Sequence, residues 1–239
     1  MPGVRRFLKP CYRRCLITME MIFQGKIGFG WRILDSKMQD HSSSSGHPPL
    51  KGLILAGGES TRMGWDKGMM DYHGLPQRDW LAQLIQPYVA EVFLSARPGQ
   101  ITYATTPILE DRYTALGPFG AILSAFQYDP TSAWLVIACD FPLLDDAAIQ
   151  KLILDRKATS IATSYLDPHT LMPEPWISIL EPSIYPLLED YHHRGRSSLR
   201  GLLVDYNSHV IRPEDTDVLL NANTPDEAES LREKLDSKI

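Results

Sequence analysis

Cysteine is scarce in this chain: three in 239 residues, at Cys11, Cys15 and Cys139. Three cannot build a disulfide framework, and Cys11-x3-Cys15 has no further Cys or His at metal-ligand spacing, which argues against a zinc site. Cys139 lies in an apolar run and reads as a buried core thiol, a usage that fits a reducing cytoplasm. Long apolar runs are also missing. None approaches the roughly 18 residues needed to cross a membrane, so no membrane role is expected. Positive charge is lacking where it would matter for nucleic acid. Residues 1–37 carry a balance of +6, which leaves -11 for residues 38–239 out of a net -5. An acidic body has no electrostatic footprint for phosphate backbones, so any phosphate chemistry must rely on a few local cations.

What remains is an ordinary globular composition, 44% hydrophobic and 22% charged, over a length suited to one large domain. The first fifty residues differ from the rest. Arg5, Arg6, Lys9, Arg13 and Arg14 precede a patchy apolar stretch, and Ser42–Ser45 with Gly46-His47-Pro48-Pro49 make a linker. No convincing secretory h-region or cleavage site is present. Residues 1–49 are therefore expected to be a basic, disordered extension, or an upstream reading of the frame with Met38 as the true start. Residues 50–239 are expected to form a single domain.

From Leu50 onward, strands and helices alternate. Strands are expected at Gly52–Ala56, Val92–Ala96, Pro107–Leu109, Trp134–Cys139, Ser160–Tyr165, Pro175–Leu180 and His209–Arg212. Leu81, Leu84, Ile85, Tyr88 and Val89 make an amphipathic helical stripe. Gly117-Pro118 opens a helix through about Tyr128, and Asp145 or Asp146 caps another. Helices are also expected over Pro182–Tyr191 and Ser197–Leu203. Thr224, Pro225 and Glu227 form a capping box for the last helix. This alternation predicts an α/β fold with a three-layer, Rossmann-like, mostly parallel sheet. Ligands in such sheets bind at the carboxyl ends of the strands.

Two features fall at that edge. Gly57-Gly58-Glu59-Ser60 follows the first strand but fits neither G-x-G-x-x-G nor G-x-x-x-x-G-K-[ST]. It remains a loop whose backbone can approach a polyphosphate closely, with two cations, Arg62 and Lys67, to neutralise developing charge. Asp140 follows five apolar residues at a strand's carboxyl end. It is placed to hold Mg²⁺ through its carboxylate while substrate phosphates supply other ligands. Asp111, after the third strand, either contacts base or sugar or starts a turn.

The run Leu55-Ala56-Gly57-Gly58-x-Ser60-x-Arg62-Met63-Gly64-x-Asp66-Lys67 resembles the signature of the molybdenum cofactor guanylyltransferases, the MobA-type nucleotidyltransferases. The resemblance continues through Glu110-Asp111, Gly117-Pro118, Cys139-Asp140-x-Pro142 and Asn221-x-Asn223-Thr224-Pro225. It implies the nucleotide-diphospho-sugar transferase type of fold. It also implies a Mg²⁺-dependent reaction in which GTP and molybdopterin give the guanine dinucleotide form of the cofactor and pyrophosphate, with other cofactor-assembly proteins as possible partners. By motif, Leu55, Ala56, Gly57, Gly58, Lys67 and Asp111 would bind GTP, and Asp140 would bind GTP and the metal. Arg62, Lys67 and Asp140 would be catalytic, and Asn221 and Asn223 would lie near the pterin. Ser95 stands where the family has a nucleotide-contacting asparagine. Glu174-Pro175-Trp176 stands where the family often shows His-Pro. Arg194, Arg196 and Arg200 are candidates for an anionic-acceptor site or plain surface arginines, and His192-His193 reads as a solvated helix end. The competing readings are a cytidylyl- or sugar-phosphate nucleotidyltransferase with the same donor machinery, and a non-catalytic nucleotide-binding accessory protein.

Overall fold

The chain's structure, a computed structural model, describes residues 47–57, 67–101 and 103–237. These fall within the second of two units into which the chain divides, Ser44–Ile239. Residues 1–46, with Cys11 and Cys15, lie outside the described residues, as do Gly58, Arg62, Gly64 and Asp66.

The apolar runs become strands and the 3.6-residue stripes become helices. In chain order the elements are β1 Leu50–Leu55, α1 Gln77–Ile85, β2 Val92–Ala96, β3 Ile108–Glu110, α2 Pro118–Tyr128 and β4 Ala133–Ala138. They continue with α3 Asp146–Leu154, β5 Ala162–Leu166, β6 Pro173–Leu180, α4 Tyr185–His193, α5 Leu199–Asp205, β7 His209–Ile211 and α6 Pro225–Asp236. Asp145 caps α3 by accepting from Ala148 N, and the Thr224/Glu227 capping box opens α6, both as expected. The stripe expected as far as Val89 breaks earlier. Helix α1 gives way after Ile85 to a 3-10 turn at Gln86–Tyr88, because Pro87 has no N–H to donate and its ring crowds the carbonyl four residues back.

The seven strands form one sheet in the order β3-β2-β1-β4-β6-β5-β7. All pairings are parallel except those of β6, which runs against both β4 and β5. The sheet is thus mostly parallel, as the alternation of elements predicted. Residue parity then builds two cores. On one face Ile54, Leu94, Leu135, Ile137 and Ile177 pack with Leu81 and Ile85 of α1 and Ile149 and Leu152 of α3. On the other, Leu53, Phe93, Trp134, Val136 and Leu180 pack with α2, α4 and α5 through Ile122, Phe126, Leu188 and Leu202. The result is three layers. No helix among the described residues is long and apolar enough to cross a membrane.

One turn fixes the start of the central strand β4. Asp129 Oδ1 accepts from Thr131 N at 3.0 Å, Thr131 Oγ1 at 2.8 Å and Ser132 N at 3.2 Å, and Oδ2 from Ser132 Oγ at 2.7 Å. Lys51 Nζ on β1 adds an ion pair at 3.0 Å. Burial by itself would raise this carboxyl's pKa, but the hydrogen bonds from Ser132, Thr131 and Lys51 outweigh it and hold it well below the ordinary range. A folded-state pKa below the unfolded one gives stability that is present above the unfolded value, about 3.9, and is lost as pH falls through the folded value. Asp129→Asn should therefore destabilise the fold at pH 7 by about 1–3 kcal/mol. Urea unfolding at pH 7 and pH 3 checks this: the gap from wild type should narrow at the lower pH, and an equal gap at both would remove the charge from the explanation.

Candidate active site

The carboxyl ends of β1, β2 and β4 share one edge of the sheet. Leu55 is in register with Ser95 on one side and Ala138 on the other. The chain runs outward from β1 through β2 to β3, then returns to place β4 on the opposite side of β1. This reversal of strand order leaves a crevice beyond the strand ends. Because β6 is antiparallel, its amino end, Pro173-Glu174, reaches the same edge.

Gly57 leaves β1 pressed against β2. Ala56 N donates to Ser95 O at 3.0 Å, and a Cβ on Gly57 would sit 2.8 Å from Ala96 Cα and 3.2 Å from Arg97 N. Only glycine lets the two backbones approach this closely. Beyond it opens a cleft of about 340 Å³ lined by Gly57, Arg97, Asp111, Thr114, Gly117 and Pro118. Gly117 holds φ 55° and ψ −140°, a conformation that side chains resist. It delivers the amino end of α2, with Pro118 at its first turn, to the cleft wall, where the helix dipole favours an anion.

Across β1 from this cleft, Lys67 Nζ donates to Asn223 Oδ1 at 2.9 Å and lies 3.7 Å from Asp140 Oδ2. The Asn-x-Asn segment is fastened to the end of β4, since Ala222 N donates to Asp140 O at 2.8 Å. The α6 cap locks it further, with Asn223 N donating to Glu227 Oε2 at 2.7 Å. Asp140 is largely buried. Burial pushes its carboxyl pKa up and the neighbouring Lys67 ammonium pulls it back. Its Oδ1 is buried with no hydrogen-bond partner. Burial raises the pKa of Glu174, the N–H of Trp176 and the Arg200 guanidinium lower it, and the Asp140 charge adds a smaller push upward.

The predicted residues are thus partly brought together. Lys67, Asp140 and Asn223 converge. Gly57 and Asp111 line the cleft, with Leu55 and Ala56 leading into it. Asp111 Oδ1 also accepts from Tyr113 N at 2.9 Å, so both roles foreseen for it, ligand and turn, are open to one side chain. Asn221 is exposed on the same loop. Gly58 and Arg62 lie outside the described residues. Ser95 is not brought to the cleft: it is 2% exposed within β2, because that strand continues through Ala96, and the first side chain past the edge is Arg97. Sequence reading missed Arg97; its position just after an apolar strand was the available signal. The three arginines do not form one cluster. Arg194 pairs with Asp190, Arg196 with Asp205 and Arg200 with the buried Glu174. His192 and His193 end α4 as expected.

The Gly57 geometry carries a direct consequence. Gly57→Ala inserts a methyl group against backbone that cannot yield, so unfolding free energy should fall by about 1–3 kcal/mol, measured by urea denaturation. A fully stable variant would mean that the β1 exit adjusts freely.

Comparison with known proteins agrees with this architecture. Residues 52–210 match the sequence model of the MobA-like NTP transferase domain. The Molybdenum cofactor biosynthesis bifunctional protein of Synechocystis sp. is 33% identical over 182 residues, 75% of this chain and 52% of that protein. The chain therefore spans about half the length of that relative. The Molybdenum cofactor guanylyltransferase of Yersinia pseudotuberculosis is 28% identical over 193 residues, 78% of this chain and 97% of the relative. Among solved structures, the Molybdopterin-guanine dinucleotide biosynthesis protein A from Archaeoglobus fulgidus superposes with TM-score 0.64 at 20% identity, over 79% of this chain and all of that one. A nucleotidyl transferase from Methanothermobacter gives 0.65 at 12% identity, over 80% and 99%. These structures share the fold, and with the family match extending from β1 to β7, this chain belongs to the MobA-like NTP transferases.

Proposed function

We propose that the chain transfers GMP from GTP to molybdopterin with release of pyrophosphate, using Mg²⁺ held by Asp140, and that residues 50–239 form the catalytic domain. The observation that carries this reading is the convergence of Lys67, Asp140 and Asn223 at the strand ends, beside a cleft that begins at Gly57. The names of the Synechocystis, Yersinia and Archaeoglobus relatives support the substrates. The buried Cys139, which is in no disulfide, is in keeping with a cytoplasmic setting.

The residues present fit magnesium. Asp140 Oδ1 is a buried carboxylate oxygen without a partner, and no cluster of three or more His, Cys, Asp or Glu suited to a metal occurs among the described residues. A single carboxylate is what Mg²⁺ uses when substrate phosphates and water complete its shell. When bound there, the ion supplies charge neutralisation to the phosphates. Gly57 and the amino end of α2 receive the nucleotide from its cleft side, and Arg97 adds a cation on the same wall. Lys67 is oriented by Asn223 and Asp140 so that its ammonium is fixed before substrate arrives, which removes the cost of ordering it during reaction. The acceptor's phosphate oxygen attacks the α-phosphorus, the bond to the bridging oxygen breaks, and pyrophosphate leaves. No protein nucleophile is required. Asn221 and Asn223 would serve the acceptor.

Pyrophosphate release from each of the four nucleoside triphosphates, with purified molybdopterin as acceptor, tests the reading. GTP alone should turn over efficiently; preference for CTP, or no release at all, would favour the competing readings. Lys67→Ala should lower kcat about 10²–10³-fold, roughly 2.7–4 kcal/mol, with a much smaller change in GTP affinity. A variant that binds GTP far more weakly yet reaches the normal rate at saturation would reduce Lys67 to a ground-state anchor.

A further inference from the structure

The turn that carries Asp140 is gripped from outside the sheet by two side chains with no role so far. Gln77, the first residue of α1, is fully buried, and its Nε2 donates to Phe141 O at 3.3 Å. His73 Nε2 lies 3.0 Å from Pro142 O, a contact in which that nitrogen must carry the proton, since a carbonyl only accepts. The imidazole is stacked on Trp80 with ring centroids 3.7 Å apart and planes 7° from parallel. The two carbonyls that follow Asp140 are therefore both engaged by one short segment.

That segment is the one that begins with Lys67. Met70 N donates to Lys67 O at 3.3 Å, and Gln77 N donates to Met70 O at 2.8 Å. Between them the chain turns through Gly74, whose N–H donates to Asp71 Oδ1 at 2.6 Å, and closes with an Asp71–Pro76 bridge. Lys67 and Asp140 thus sit at two ends of a closed circuit: Lys67 to Gln77 along the backbone, Gln77 and His73 to the carbonyls beside Asp140, and Asp140 back to Lys67 at 3.7 Å.

Gln77 is an odd choice for packing alone. It stands four residues before Leu81 and eight before Ile85, on the apolar stripe of α1, and its Oε1 is buried without a hydrogen-bond partner. An orphaned amide oxygen in a core lowers stability, and a methionine of similar volume would leave none. A local defect of this kind is expected where position matters more than stability.

We infer that Gln77 and His73 are positioning residues that hold the Asp140 turn against the Lys67 segment and so set the separation of those two groups. The inference rests on the role proposed above for Lys67 and Asp140, and both residues act through that pair.

The test uses the full chain with three substitutions. Gln77→Met keeps volume and removes the donor; His73→Phe keeps the stack on Trp80 and removes the donor; His73→Gln restores an N–H. Each is read by kcat and KM for GTP, by melting temperature, and by hydrogen exchange of the amides at 140–144. Gln77→Met should melt no lower than wild type, while its kcat falls by up to roughly 10²-fold, the effect of a displacement near 1 Å, with KM little changed and faster exchange at 140–144. His73→Phe should behave likewise in rate and exchange, and His73→Gln should recover both. Normal rate and exchange in Gln77→Met and His73→Phe overturn the inference, as does a loss of rate that only tracks a lowered melting temperature. If the wild-type chain releases no pyrophosphate, the transfer reading fails separately. The exchange measurement then decides the clamp alone: unchanged protection at 140–144 contradicts it, and faster exchange upholds it.

Discussion

A carboxylate taken out of water at the end of an apolar strand is the constraint on which the site depends. Asp140 follows β4, whose side chains are buried on both faces of the sheet, and burial opposes its charge. One oxygen is answered by Lys67 at 3.7 Å; the other is left without a partner. A charge half-compensated in this way opposes burial until a cation completes the pairing. The arrangement is therefore poised for a positively charged or metal-associated ligand, and the surrounding structure keeps it from relaxing. Ala222 holds the Asp140 carbonyl, Asn223 holds Lys67, and the α6 cap holds Asn223.

The fold supplies this arrangement through strand order more than through any single contact. Reversal at β1 opens the crevice between β2 and β4. The close approach of Gly57 to β2 and the glycine-dependent start of α2 give that crevice an amide-rich, cation-bearing wall on one side. The antiparallel β6 brings Glu174 to the same edge of the sheet, where it pairs with Arg200 of α5.

Much of this was legible in the sequence because short-range physics governs it. The glycine Gly57 after a buried strand, an aspartate closing an apolar run, and the Thr224-Pro225-x-Glu227 cap carry their structural meaning locally, and each falls where it was expected. The antiparallel course of β6 was not legible, since a strand buried on both faces has no alternation to reveal its direction. The bounds of β2 were read correctly, yet Ser95 was still assigned to the nucleotide: it lies inside the strand and is buried, and Arg97, for which no role was foreseen, is the first side chain past the edge. The three arginines near residue 196 could not be resolved into separate pairs without knowing that β6 presents Glu174 to Arg200. Gln77 was visible as a polar residue on an apolar stripe, but its partners, two carbonyls more than sixty residues away, belong to tertiary structure alone.

The central claim is that Asp140 binds the metal that accompanies the nucleotide. Calorimetric titration of GTP, with and without Mg²⁺, into the wild-type chain and Asp140→Asn tests it most directly. The account predicts that Mg²⁺ tightens GTP binding in the wild type and has no effect in Asp140→Asn, which should bind metal-free GTP at least as well because a repelling charge is gone. Equal tightening by Mg²⁺ in both proteins would contradict it.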